Sequence, residues 1–162
     1  YLSGDDIVGS VPANFQSENL NLLTIDLPYA TSLGYYAFGG CTSLTDVSLA
    51  AATNIGGSAF QSCTSLTDVS LPAAETIGYN AFQNCTSLTD VSLPVAETIE
   101  YRAFQNCTSL KTIHIEDKIT NIDHYAFSSS ALTDIYINRP EGSVSGAPWG
   151  ATNATVHWGQ YE

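Results

Sequence analysis

A 22-residue period constrains this chain of 162 residues more than any other feature. Residues 66–87 and 88–109 agree at 19 of 22 positions and differ at Ala73/Val95, Gly78/Glu100 and Asn80/Arg102. Residues 44–65 match the first of these at 16 of 22 positions; looser copies start at Leu22 and Leu110, and a fragment starts at Leu132. Such a period is too short for paired helices or a propeller blade. It fits a solenoid that adds one small coil per copy.

Each copy has two halves. Leu44-Thr-Asp-Val47-Ser-Leu49 alternates inward and outward at its end, as a short half-buried strand does. Pro28, Pro72 and Pro94 follow that strand directly, where a missing N–H ends ladder pairing. The second half, Ile77 to Phe82, is too short for a helix and predicts extended or 3₁₀ backbone before a Gln-Asn-Cys-Thr-Ser turn. Stacking puts equivalent residues about 4.8 Å apart. Leu22/44/66/88/110, Ile25/Val47/Val69/Val91/Ile113/Ile135 and Leu27/49/71/93 with Ile115 and Ile137 become inward columns. Leu33/Ile55/Ile77/Ile99/Ile122 and Phe38/60/82/104/127 face them. No copy can bury these faces alone, so stability is a nearest-neighbour property.

The register L-x-x-[VI]-x-L-P-x-x-x-x-I-x-x-x-A-F-x-x-C-x-S, with five Ala-Phe pairs and four in-phase cysteines, resembles the BspA-like, or treponemal-type, leucine-rich repeat over about residues 20–138. The resemblance implies a right-handed leucine-rich-repeat solenoid of five to six turns, with a parallel concave β-sheet and an irregular convex side of short strands or 3₁₀ turns. It also implies a bacterial cell-surface or secreted protein that binds other proteins or mediates adhesion, and no catalytic motif. The chain departs from the register at its ends: Phe15 is out of phase, and the copy from Ile115 to Phe127 has an extra residue. The expected organisation is a single domain over 1–162. Residues 1–19 are an N-terminal cap without the repeat and 20–138 are the repeats. Residues 139–162 are a C-terminal cap in which Thr155–Trp158 forms a last strand and Trp149 covers apolar surface.

Charge excludes several partner classes. Four basic against sixteen acidic residues give a net charge of −12, and the pI is 4.2. Nucleic acids and anionic lipids require a basic face, so neither is expected as a partner. No apolar run approaches the ~20 residues of a membrane span. The N-terminus, Tyr-Leu-Ser-Gly-Asp-Asp, lacks the basic and apolar regions of a secretion signal, so signal and anchor are expected outside this sequence.

Cys41, Cys63, Cys85 and Cys107 recur every 22 residues. Equivalent side chains in a stack point the same way and stand farther apart than the ~3.8 Å between Cβ atoms that a disulfide prefers. Zinc is usually held by CxxC pairs, and there are none. A column of buried free thiols is therefore expected, with no metal and no cofactor.

The outward positions of the strand carry the candidate binding face: Asp26, Asp46, Ser48, Asp68, Ser70, Asp90, Ser92, His114, Asp134 and Tyr136. Stacked aspartates ~5 Å apart repel by roughly 0.8 kcal/mol per neighbouring pair even in water, a cost that a basic partner relieves. The alternative reading is a solubilising row that discourages edge-to-edge aggregation. Calcium fits poorly, since it prefers six to eight oxygens on bent loops.

Tyr35, Tyr79 and Tyr101, interrupted by Gly57 and ending at His124, form a second column that suggests sugar stacking, although partial burial of tyrosine is commoner. His114, the only histidine expected on the concave face, lies near Ser92, Asp90 and Asp134, so a Ser/His/Asp arrangement can be drawn. A flat strip offers neither a water-excluding pocket nor an oxyanion donor pair. Gly142-Ser-Val-Ser-Gly146 has valine where a nucleophile elbow has serine. The expected function is non-catalytic binding of a protein, host or extracellular-matrix, through the concave face of a monomer; the alternatives are a structural stalk or a glycan-binding module.

Overall fold

The computed structural model describes residues 1–159, in which fourteen short strands and no helix occur. One series is β1 (Leu2–Ser3), β3 (Thr24–Asp26), β5 (Asp46–Ser48), β7 (Asp68–Ser70), β9 (Asp90–Ser92), β11 (Thr112–Ile115), β13 (Asp134–Ile137) and β14 (Thr155–Trp158). The other is β2 (Gly9–Val11), β4 (Ala30–Leu33), β6 (Asn54–Ile55), β8 (Thr76–Ile77), β10 (Thr98–Ile99) and β12 (Asn121–Ile122). All pairings are parallel, and the chain alternates between the two series as a solenoid winding about seven turns.

The turn count exceeds the expected five to six because residues 1–19 form a turn of their own. Leu2 registers with Ile25 and Val11 with Leu33, while Phe15 stands edge-on to Phe38 at 6.2 Å. These offsets are 23 or 22 residues on a sequence with no Leu-x-x-Leu-x-Leu motif, so the periodicity alone passes over them.

The inward columns are core. Every leucine and isoleucine named for them is at most 5% exposed, and Val47 alone among the valines is half-buried. Phe38, Phe60, Phe82, Phe104 and Phe127 are fully buried and stack with centroid separations of 5.7, 5.3, 5.3 and 5.8 Å. Trp149, also fully buried, meets Phe127 edge-on at 6.4 Å and donates its indole N–H to the Ser145 carbonyl at 2.8 Å. Trp158 of β14 packs edge-on against it at 6.0 Å.

The half-coil after each short strand is a string of turns rather than a 3₁₀ segment. Its amides divide the work in alternation. Asn80, Phe82 and Asn84 donate to the next coil at Tyr101, Ala103 and Gln105 (2.9, 2.8 and 2.9 Å). Ala81, Gln83 and Cys85 donate within the coil to Gly78, Asn80 and Phe82 (3.1, 3.0 and 3.2 Å). The alternation requires left-handed backbone twice per coil: Ser58 and Ser62, Asn80 and Asn84, Arg102 and Asn106 all have φ between 55° and 61°. Asn tolerates that region best and arginine has no such advantage, so the sequence hints at the turn in some copies only. Part-buried Gln61, Gln83 and Gln105 hydrogen-bond amide to amide up the stack, as do Asn84 and Asn106.

Candidate binding face

The first strand series presents one outward face, built by the in/out alternation of strands of two to four residues. On it the structure places every residue named from the sequence: Asp46, Asp68 and Asp90 in one row with Asp134, and Asp26, Ser48, Ser70, Ser92, His114 and Tyr136 in the next. Most are exposed; Asp26, Asp134 and Tyr136 are half-buried. The threonine hydroxyl preceding an aspartate lies 2.6 Å from Asp46 Oδ2, 3.0 Å from Asp68 Oδ2 and 2.8 Å from Asp134 Oδ2, so part of the carboxylate charge is solvated by the strand itself.

His114 is not the only histidine here. β14 registers Val156 with Ile135 and Trp158 with Ile137, which turns His157 outward beside Tyr136. Tyr136 is sandwiched between two imidazoles, with His114 at 4.6 Å and 5° and His157 at 4.4 Å and 13°. His157 Nε2 lies 2.8 Å from Asp134 Oδ1. The hydrogen bond from His157, with that of Thr133, holds the Asp134 carboxyl below the usual carboxylate range. His157 stands 21 rather than 22 residues beyond Tyr136, and only the alternation of Val-His-Trp in the sequence marks it as outward. Among the described residues no hydrogen bond joins Ser92 to His114, so no Ser/His/Asp relay is assembled.

The sheet behind this face is interrupted. β1, β3, β5, β7 and β9 form one hydrogen-bonded unit and β11, β13 and β14 another. At the parting lies a cleft of about 320 Å³, floored by Val91 and Leu93 and walled by Asp90, Ser92, Pro94, His114 and Glu116. Glu116 occupies the position that is proline at 28, 72 and 94, and its Oε2 accepts a hydrogen bond from Asn138 Nδ2 at 3.2 Å.

The cysteines are buried free thiols. Sγ of Cys63, Cys85 and Cys107 donates to the carbonyls of Phe38, Phe60 and Phe82 at 3.3, 3.1 and 3.2 Å. Burial pushes all four thiols up, Cys107 to about 12. Thiols held protonated are poor nucleophiles and poor metal ligands. No group of three or more His, Cys, Asp or Glu side chains suited to a metal ion occurs among the described residues.

The tyrosine column is exposed but folded on itself. Tyr35 and Tyr79 stack at 6.2 Å across Gly57, where an added Cβ would lie 2.5 Å from the Tyr79 ring. The Arg102 guanidinium sits 4.7 Å from the Tyr101 ring centroid, and Tyr125 meets Tyr101 edge-on at 5.9 Å. Tyr35, Tyr79 and Tyr101 nonetheless remain 51, 46 and 36% exposed.

Comparisons with known proteins agree with the lattice of columns. The structure is similar to that of a leucine rich cell surface protein from Faecalibacterium prausnitzii A2-165 (30% identity, TM-score 0.69), covering 80% of this chain and 38% of that one. It is also similar to a leucine-rich repeat protein from Eubacterium ventriosum (32% identity, TM-score 0.62), covering 69% of this chain and 32% of that one. The chain thus spans about a third of the length of each. The fold extends to a T. pallidum leucine rich repeat protein (18% identity, TM-score 0.55, 95% of this chain and 64% of that one). A comparison with curated proteins finds no match. Residues 11–133 match six copies of the BspA type leucine rich repeat region, in the same register that stacks the phenylalanines and thiols; the chain belongs to the BspA type leucine-rich repeat family.

Proposed function

We propose that the chain is a non-catalytic binding module of a bacterial cell-surface or secreted protein, and that it engages another protein through the face that carries the Asp and Ser rows. One observation supports this above the others. From β5 to β9 the outward rows repeat Asp and Ser, and the serine row then becomes a His114–Tyr136–His157 stack, whereas the buried columns keep their residue class throughout. Tyrosine and histidine in an ordered stack supply rigid contact area, and tyrosine is enriched at binding hot spots. The Asp row adds attraction for basic surfaces and speeds encounter. The names of the Faecalibacterium neighbour and of the family support a surface location. Among the described residues no helix is long and apolar enough to cross a membrane.

The test is capture of soluble host extracellular-matrix proteins by the immobilised chain, repeated with Asp46→Asn, Asp68→Asn and Tyr136→Ala combined. Capture lost with an unchanged urea midpoint supports binding through this face. Capture retained by the variant assigns it elsewhere, and no capture by either chain favours the stalk reading.

A further inference from the structure

The cleft at the parting of the sheet differs from the rest of the face in three ways. First, it is larger than the recess of about 220 Å³ at β5 and β7: β9 and β11 share no ladder, and about 320 Å³ opens between them. Second, two carboxylates line it, Asp90 at the start of β9 and Glu116 just after β11, the latter keeping one oxygen beyond its bond from Asn138. Third, it is bordered by the imidazole of His114, one face of which lies on Tyr136 while Ser92 on the other flank is too small to cover the ring. A recess, a flat ring and a pair of acids are the complement of one side chain in particular. Arginine combines an aliphatic stem with a planar, weakly hydrated cation that stacks on rings and donates to carboxylates in a fork; lysine offers a compact, strongly hydrated point charge. The long-range field agrees, since no Lys or Arg occurs before Arg102 and none of the four basic residues lines the cleft.

We propose that the β9/β11 cleft is an arginine-binding site, taking a guanidinium of a partner protein between Asp90 and Glu116 with its plane against His114. The proposal rests on the protein-binding reading of this face and names the chemistry of its anchor. Glu116 in place of the proline of other copies is the substitution that makes the site. Exposed Pro94 then supplies the apolar surface for the stem.

The experiment titrates the full chain with a capped Gly-Arg-Gly peptide and with its lysine and citrulline analogues, read from backbone and histidine-ring NMR shifts. Expected are shifts at Asp90, Ser92, His114 and Glu116 with the arginine peptide, and clearly weaker ones with both analogues. Glu116→Gln and, separately, Asp90→Asn should each weaken binding about tenfold, as loss of a charge-assisted hydrogen bond does. Glu75→Gln with Glu97→Gln, exposed acids outside this face, should leave it within about twofold. Unchanged amide spectra away from the cleft show that each variant is folded. Equal binding of the lysine peptide, shifts spread along the whole aspartate row, or indifference to both Glu116→Gln and Asp90→Asn would overturn the proposal. If the peptide misses the cleft while protein capture still depends on Asp46, Asp68 and Tyr136, the anchor is wrong and the binding face stands.

Discussion

The two sheets are wound from the same coils, yet one is continuous and the other is not. β12-β10-β8-β6-β4-β2 runs through six strands, whereas the Asp/Ser face divides into five strands and three. The difference follows from what backs each sheet. Beside the six-stranded sheet, coil-to-coil backbone hydrogen bonds, the phenylalanine stack, the thiol–carbonyl bonds and the amide rows all fix the spacing of successive turns. Glycines help by letting backbones close: a Cβ at Gly56 would lie 2.2 Å from the Leu33 carbonyl oxygen. The opposite face carries exposed side chains of varying size, so mismatch between coils collects there. The lesson is that this fold separates a spacing edge from a variable edge, and recognition belongs to the variable one.

The largest blow to the spacing edge is Phe82→Ala, which empties a site stacked at 5.3 Å on both sides and should cost about 3–5 kcal/mol in urea unfolding. Phe15→Ala, at the end of the column and only partly buried, should cost clearly less; equal costs would deny that the stack is cooperative. Gly56→Ala comes next, at about 1–3 kcal/mol for overpacking against backbone. An unchanged midpoint would mean that the turns can part on that edge as well.

Alkaline titration probes the thiols beneath the same edge. The folded pKa of Cys107 is raised, so the unfolded chain releases that proton first. The contribution is intact below the unfolded value of about 8.5 and is lost as pH climbs toward about 12, at about 1.4 kcal/mol per pH unit. Cys107→Ala should flatten this loss between pH 9 and 11, and a wild-type slope in the variant would contradict the burial argument.

The variable edge yields smaller effects. His114→Ser combined with Glu116→Pro restores two of the three outward residues of the preceding copy and should close the ladder, slowing hydrogen exchange at Lys111 and Thr112. Exchange as fast as before would place the cause of the parting in the backbone. The smallest effect belongs to Asp134. Its carboxyl is depressed in the folded chain, so its contribution is present above the unfolded value of about 3.9 and fades as pH falls through the lower folded value. Asp134→Asn should slightly reduce the acid sensitivity of the urea midpoint between pH 5 and 2.

Much of this was legible beforehand. Five Ala-Phe pairs in phase defined the aromatic column, and the Val-x-Leu alternation fixed which strand side chains face out. Three features escaped. The first turn, from Leu2 to Phe15, matches its neighbour by geometry rather than motif. His157 is displaced by one residue in a tail that reads as a terminal strand, so its register was uncounted. The opening at β9 and β11 is not announced by the apolar pattern, since Leu110-Lys-Thr-Ile-His-Ile alternates as an ordinary strand does; only the outward residues, with Glu116 in the place of Pro28, Pro72 and Pro94, set that copy apart. The left-handed residues at Asn80 and Arg102 lie where the sequence predicts extended or 3₁₀ backbone, and only Asn84 falls in the Gln-Asn-Cys-Thr-Ser turn that the sequence marks.

The near identity of copies 66–87 and 88–109 has an evolutionary corollary. A duplication or deletion of one whole unit between them would join ends of matching shape, leaving every stripe unbroken. Each such event would slide the histidine–tyrosine tip by about 4.8 Å along the axis without rebuilding it. Genes of this kind can therefore lengthen or shorten the reach of an unaltered contact point, as a surveyor adds rods behind a fixed sight.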